Sequence, residues 1–467
     1  MNNVPGNNLI NSLPKRKQGL AGRLSYAYDG KYMAEVNMGY NGSENFAKGH
    51  RWGFFPSIAL GYNISEESFF EPLRKVITSM KLRGSWGLVG NDQIGGERFI
   101  YMPTINLSGK GFTTGIDQNY GLSGPVYTRY ENNSITWEVG EKINLGIDLQ
   151  LLNSLNIVVD IFRETRRDIF QKKGTIPTYL GTGNTDVFGN LAEMKNQGLD
   201  LSIDYNKAFS KDFYMNFKGT FTYAHNEITK YDEAPKYAFQ SKVGQSANVS
   251  QGYLSNGLFL DEAEIDRYNQ QMGSTLGAGD IKYLNVSNMH GYGDDIVDVD
   301  DWTWIGNPTV PEIVYGFGPS FKYKNWDFSF FFQGVAKTSL FMSGFHPFGD
   351  NSLRNVLQFV ANDRWSPTNQ NVDAKYPRLT RKTSLNNTNP GNSGRTSDYW
   401  MRDGSFLKLK NMELGYTFKR MRFYISGSNL LTFSKFDLWD PEQGGGSGLK
   451  YPTQRVFNVG FQMTFNN

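Results

Sequence analysis

The sequence predicts an all-β protein, an antiparallel transmembrane β-barrel to which this chain contributes about thirteen strands. Three observations predict it: apolar and polar side chains alternate with a period of two, short and long connections alternate along the chain, and aromatic residues and glycine are abundant. The chain holds 34 Phe, 26 Tyr, 9 Trp and 51 Gly in 467 residues. That profile suits sheet surfaces, interfacial girdles and turns rather than helices.

The alternation is clearest near the end of the chain. Phe457, Val459, Phe461, Met463 and Phe465 fall on one face, and Asn458, Gly460, Gln462 and Thr464 on the other. The same period runs through Tyr32 to Tyr40, Ile143 to Leu149, Leu199 to Tyr205 and Phe213 to Tyr223. A half-buried soluble sheet alternates too, so this alone leaves a sandwich and a barrel open. Connection lengths separate them. Tight turns are expected at Asp29-Gly30, Asn153-Ser154, Ser210 to Asp212, Lys324-Asn325 and Lys419 to Met421, with a longer one at Ser65 to Lys75. Between them lie long connections, about 42–52, 90–134, 164–196, 226–308, 336–403 and 432–453. Outer-membrane barrels have short periplasmic turns and long extracellular loops, whereas sandwiches rarely carry such long loops.

The expected strands are 18–28, 31–41, 53–64, 76–89, 135–150, 155–163, 197–208, 213–225, 310–323, 326–335, 404–418, 422–431 and 454–465. Thirteen is odd, while single-chain bacterial barrels have even strand numbers. The first strand ends in a tight turn, which predicts an upstream neighbour beyond these residues and an open, partial barrel here. The opening Met1-Asn-Asn-Val-Pro5 has no basic or apolar leader pattern, which also predicts that the N-terminal part lies elsewhere. In the loops, Asp261 followed by Glu264 predicts a short capped helix, and a second is expected from Ser352 to Asp363, ended by Ser366-Pro367.

Composition excludes several functions. The 48 Lys and Arg against 45 Asp and Glu give a net charge of +3, too weak a field to recruit nucleic acid. No cysteine occurs, so disulfides, thiolate metal sites and cysteine nucleophiles are excluded. The mean hydropathy of -0.50 is compatible with a barrel, whose polar lumen face and loops offset its apolar face. His50, His225, His290 and His346 form no HExxH pattern and are read as loop or lumen residues. Gly181-Thr-Gly-Asn184 and Gly293-Asp-Asp295 are read as turns rather than phosphate cradles.

Ordered segments along most of the chain resemble the SusC/RagA family of TonB-dependent transporters of Bacteroidetes-type bacteria. They are Gln18-Gly-Leu-Ala-Gly-Arg-Leu24, Gly39-Tyr-Asn-Gly-Ser-Glu-Asn-Phe46, Trp52-Gly-Phe-Phe-Pro-Ser57, Leu82-Arg-Gly-Ser-Trp-Gly87 and Gly90-Asn91. Further on stand Asp363-Arg-Trp-Ser-Pro367, Asp398-Tyr-Trp-Met-Arg-Asp-Gly-Ser-Phe-Leu-Lys-Leu-Lys410 and Asn429-Leu-Leu-Thr-Phe433. The resemblance implies a relative with a signal peptide, a plug bearing a TonB-contacting segment, and a barrel of about 22 strands. Residues 1–467 match the C-terminal part of that barrel, with no plug domain. It further implies outer-membrane localisation, a SusD-like surface lipoprotein partner, energy delivered through TonB, and a nutrient ligand such as an oligosaccharide or peptide. No enzymatic activity and no cofactor are expected.

In relatives the region matching Asp294 to Asp301 often reads as a calcium loop, and Asp298 and Asp301 match its tail. The front half, Asn285 to Tyr292, lacks the expected aspartates. A solvated acidic loop is the expected reading, with Asp298 and Asp301 the only metal candidates. Asp200 and Asp204 are expected to face the lumen as ordinary polar lining, and nothing there marks a nucleophile or general acid. Trp302, Trp304 and Trp400 suit sugar stacking, though loop packing or an interfacial girdle is the commoner role. Two alternatives to import stay open: a passive structural or adhesive barrel, and a soluble β-sandwich binding protein.

Overall fold

The computed structural model describes residues 16–96, 98–177, 179, 185–268, 270–271, 275–292, 294–345, 347–348, 353–381, 387 and 396–465. His346 and Gly181-Thr-Gly-Asn184 lie outside the described residues. Thirteen long strands form one antiparallel sheet in simple sequence order. They are β1 (Lys17–Tyr28), β2 (Tyr32–Ser43), β3 (Trp52–Asn63), β4 (Ile77–Asn91), β5 (Glu138–Leu151), β6 (Leu155–Lys172) and β7 (Phe188–Ala208). Then come β8 (Phe213–Lys230), β9 (Ile313–Tyr323), β10 (Trp326–Ala336), β11 (Phe406–Phe418), β12 (Met421–Ser434) and β13 (Val456–Met463). Each expected strand is present. The sheet is not closed, and β1 and β13 stand at the two ends of the order.

Two compact units divide the chain. The first holds β1 to β6, β7 as far as Leu201 and the end of β8. Ladder partners share a face, so register shows how each face is built. On one face Leu20, Leu24 and Tyr26 oppose Tyr40, Val36 and Ala34. These continue through Phe54, Ile58 and Leu60 to Trp86 and Gly84, then Ile143 and Leu145, then Ile161. On the other face Ser25 meets Glu35, Asn37 meets Ser57, Lys81 meets Asp148 and Lys142 meets Glu164.

The second unit repeats the division. Its apolar face runs from Phe213 and Met215 through Tyr323 and Phe321, Trp326 and Phe328, Tyr416 and Leu414, and Phe423 and Ile425, to Phe461 and Val459. Opposite lie Asn216, Ser320, Ser329, Glu413, Ser426 and Asn458. A face built mostly of large apolar side chains belongs against lipid, and a face of charges and hydroxyls against water. Phe457, Val459 and Phe461 are 73%, 88% and 56% exposed. Phe213, Met215 and Phe217 are half-buried, yet belong to neither hydrophobic core and meet lateral neighbours such as the stacked ring of Phe321.

Turn chemistry matches the expected ends. Asp29 and Gly30 both take positive φ, 52° and 65°, in the tight turn between the ladder partners Tyr28 and Tyr32, which the Lys31 amide closes by donating to the Tyr28 carbonyl at 2.9 Å. Several elements differ from expectation. β6, β7 and β8 extend well past 163, before 197 and past 225. Those extensions, such as Glu164-Thr-Arg-Arg-Asp168, are polar on both faces because both are wet, so the period of two fades there. The 90–134 connection contains a hairpin, Thr104–Thr114 with Tyr120–Arg129, hidden in sequence by its Gly and Ser content. The first loop helix is Glu262–Ile265, with the Asp261 carboxylate accepting from the Glu264 amide. The second is Gln358–Asn362, shorter than expected.

Candidate functional site

Polar and charged side chains gather in two places: the polar face of the sheet, and the loops beyond the long ends of the strands. The polar face is ordered by ionic clamps. Arg83 reaches Asp148 at 2.8 Å and Asp160 at 3.0 Å, and so ties β4 to β5 and β6. Beside it a hollow of about 530 Å3 is lined by Glu35, Lys81, Arg83, Ser85 and Asn144. In the second unit Arg422 bridges Asp327 and, at 2.6 Å, Glu413. A smaller hollow of about 360 Å3 there presents Asn216, Ser320, Ser329, Asn411, Ser426 and Ser428. Such a wall of hydroxyls, amides and paired charges matches the hydrogen-bonding groups of a polar solute.

The loops of the second unit fold around their own core. Tyr253, Tyr283, Phe345, Phe348, Tyr376 and Trp400 pack together with Leu258, Ile281 and Met342. Small ladders knit the connections: Ser250–Gly252 with Thr303–Ile305, Ser255–Leu258 with Ile281–Tyr283, and Ser339–Phe341 with Met401–Asp403. The fully buried carboxylate of Asp280 binds the Arg378 guanidinium and accepts from Asn387 at 2.6 Å and the Gly277 amide at 2.9 Å. Burial lifts the carboxyl of Asp398 above its ordinary range, although the Ser255 amide donates to it at 2.8 Å. Burial likewise pushes the Tyr376 hydroxyl up to about 12.

One cluster joins loop to sheet. A bulge at Lys410 keeps Lys408 on the polar face, opposite Gln333, and returns Asn411 to the same face opposite Phe331. The Lys408 side chain is fully buried and pairs with Asp440 and, at 2.8 Å, with Glu442; Lys410 reaches Glu442 at 2.6 Å. Burial alone would raise both carboxyls, but the ammonium groups outweigh it, and both are held below the ordinary carboxylate range. Next to this cluster a cavity of about 660 Å3 is lined by Gln333, Phe341, Phe406, Glu442 and the glycines 444–446. The sequence shows these lysines only as polar residues in an alternating strand, and their partners lie about thirty residues away.

The sequence-derived candidates are placed as follows. Asp301 is fully buried; its carboxylate accepts from the Ser287 amide at 2.9 Å and the Asp298 amide at 2.8 Å. Asp298 accepts in turn from the Asp300 amide at 2.8 Å. These two form a reciprocal cap on the turn Val299–Asp301, and burial raises the Asp301 carboxyl. Among the described residues no group of three or more His, Cys, Asp or Glu is placed to hold a metal ion. Asp204 accepts from Asn216 at 3.2 Å on the polar face. Trp400 lies wholly inside the loop core, Trp302 meets Tyr253 edge-on, and Trp304 donates to the Ser241 carbonyl at 2.9 Å. All three tryptophans pack loops.

A family model described as TonB dependent receptor-like, beta-barrel matches residues 2–430. The TonB-dependent receptor SusC of Bacteroides thetaiotaomicron is 28% identical over 471 residues, covering 95% of this chain and 43% of the relative. TonB-dependent receptor P3 of Formosa agariphila is 27% identical over 481 residues, covering 95% of this chain and 45% of the relative. The chain spans about half the length of the curated relatives it matches. In fold it is similar to the RagAB peptide transporter structure, with a TM-score of 0.70 at 20% identity over 96% of this chain and 47% of that one. The resemblance to SusC/RagA transporters read from the sequence is borne out.

Proposed function

Because the chain belongs to the TonB-dependent receptor-like β-barrel family, an outer-membrane family, we propose that the protein containing it imports a nutrient across that membrane. The cargo class is an oligosaccharide or peptide, handed over by a SusD-like surface lipoprotein and moved with energy from TonB. The observation that carries this reading is the sheet itself: in each unit one face is mostly large and apolar and the other is lined by clamped charges, hydroxyls and amides. A passive adhesive barrel needs the first face but not a solvated wall with hollows of several hundred Å3.

As a transporter, the protein needs a wall that binds weakly and repeatedly, so that cargo leaves as readily as it enters. Paired charges such as Arg83 with Asp148 and Asp160 serve this, because pairing cancels part of the charge while the groups still offer hydrogen bonds to a polar solute. Deleting the gene and growing cells on panels of oligosaccharides and of peptides as sole carbon source tests the proposal. Loss of growth on one panel, restored by the intact gene and abolished by loss of TonB, is expected. Unchanged uptake of every panel member refutes it.

A further inference from the structure

The connection from β3 to β4 has an unusual composition for a short end. Residues 64–76 read Ile-Ser-Glu-Glu-Ser-Phe-Phe-Glu-Pro-Leu-Arg-Lys-Val and form two 3-10 turns, Ile64–Glu66 and Ser68–Leu73. Phe70 is buried, but Phe69, Leu73 and Val76 are 68%, 52% and 57% exposed. Arg74 and Lys75 stand between the last two, also exposed. Large apolar side chains flanking a basic pair form the side-chain set of a segment lying in a membrane interface.

Hydrogen bonds show which side of the sheet the segment lies on. Tyr32 and Tyr62 are ladder partners on the apolar face, with rings stacked 5.1 Å apart. Both hydroxyls donate to Oε1 of Glu67, at 2.6 and 3.3 Å. The segment is therefore pinned to the lipid side, at the short-turn end of the strands, which is the periplasmic end. On that same face a largely apolar slot of about 550 Å3 lies over Ala34 and Gly84, edged by Tyr26, Leu60, Tyr62 and Leu82. Gly84 has no side chain, and a Cβ added there meets only Leu145, at 3.4 Å, so the slot is a gap in an otherwise continuous row of large side chains.

We infer that residues 64–76 and this slot form a binding site for a phospholipid of the periplasmic leaflet. One acyl chain lies along the slot over Ala34 and Gly84. Tyr26 and Tyr62 meet the ester region, and Arg74 and Lys75 meet the phosphate. Phe69, Leu73 and Val76 enter the boundary between headgroups and chains. The Arg74 guanidinium is steadied by donating to the Ser65 carbonyl at 2.7 Å and by the exposed Glu66 carboxylate at 3.9 Å, a long surface pair that a phosphate would displace. The slot opens on the face that meets hydrocarbon, and the basic pair matches a phosphate; these two observations select a lipid over a protein as the occupant.

Two measurements on the protein purified from outer membranes test this. The chain has no cysteine, so a nitroxide on Phe69→Cys reports from that site in vesicles of phosphatidylethanolamine and phosphatidylglycerol. Relaxation by oxygen, and not by an aqueous nickel chelate, is expected. Native mass spectrometry in mild detergent should show a retained phospholipid that Gly84→Leu displaces. Retention of phosphatidylglycerol should fall about fivefold for each of Arg74→Ala and Lys75→Ala. Ile425→Phe, on the apolar face of the second unit, should leave retention unchanged, and heat-modifiable gel mobility confirms that each variant is folded. Nickel access to the Phe69 probe, equal retention in folded Gly84→Leu, or crosslinking of the segment to a protein in place of lipid overturns the inference.

Discussion

Replacing Lys408 by Met removes the buried cation that holds the 435–450 loop against the sheet. It leaves Asp440 and Glu442 facing an apolar stem, with only Lys410 still 2.6 Å from Glu442. Breaking a buried pair by removing one partner costs about 3–5 kcal/mol. The two carboxylates here keep 18% and 34% of their exposure, and Lys410 neutralises one of them, so the lower end applies, about 3 kcal/mol. At 1.4 kcal/mol per decade this is roughly a hundredfold increase in local opening. Hydrogen exchange in micelles, read over residues 435–450, measures it, and the strand amides of β11 and β12 serve as the internal reference. The sign of the pH effect follows from the lowered carboxyls. In the wild type the stabilisation is complete above the ordinary carboxylate pKa of about 4 and is lost as pH falls through the depressed folded values. In Lys408→Met the order reverses: acidification neutralises the stranded carboxylates, and protection recovers. The double variant Lys408→Met with Asp440→Asn should recover most of the protection at neutral pH, because Glu442 keeps Lys410 as its counter-ion and no unpaired charge is left to bury. Unchanged exchange in Lys408→Met, or no recovery on acidification, refutes the assignment of the loop anchor to this cluster.

Face assignment gives a paired test: Ile425→Arg, on the lipid face, should cost about 2–4 kcal/mol if near the bilayer midplane and lower the folded fraction in vesicles, while its neighbour Ser426→Arg should be tolerated. The reverse outcome would interchange lipid and lumen. Asp301→Ala strands the amides of Ser287 and Asp298, and should raise exchange across 285–301 by an amount corresponding to about 1–3 kcal/mol. Calcium titration should leave that exchange unchanged in the micromolar range, since the Asp298 and Asp301 oxygens already serve backbone amides; micromolar protection by calcium would restore the metal reading.

The strand pattern was legible because hydrocarbon imposes it. From Phe423 to Ile425 and from Phe457 to Phe461, a polar side chain on the wrong face would sit in lipid, so the sequence keeps strict alternation and the register follows. Where both faces are wet the constraint lapses. Glu164 to Lys172 stays in the strand, with an irregularity at Asp168 where φ is 58°, and its side chains carry no periodic signal, while the Thr104–Thr114 hairpin pairs through Gly and Ser with several register shifts. The ladder hydrogen bonds persist there, but they are backbone interactions to which composition is nearly blind.

The loop site was illegible for a different reason. Trp400 reads as a candidate ligand-stacking or interfacial aromatic, yet it lies at zero exposure in one core with Tyr253, Tyr283 and Phe348. Burial here depends on connections separated by up to about 150 residues, as in the Ser255 amide meeting Asp398. No window of sequence contains both partners. The same holds for Lys408 with Asp440 and for Asp280 with Arg378, where a charge inside an apolar setting is tolerated only because a distant segment delivers the counter-ion. With Trp400 buried and Trp302 and Trp304 half-buried in loop packing, the polar groups that stay accessible are the plainer Asn, Ser and paired charges of the sheet's polar face, and the rim of the glycine-edged cavity beside Glu442. Substitutions at Asn216 or Asn411 should therefore alter cargo uptake more than exposure-based reasoning from the tryptophans would suggest, while Trp400→Ala should act by loosening the loops.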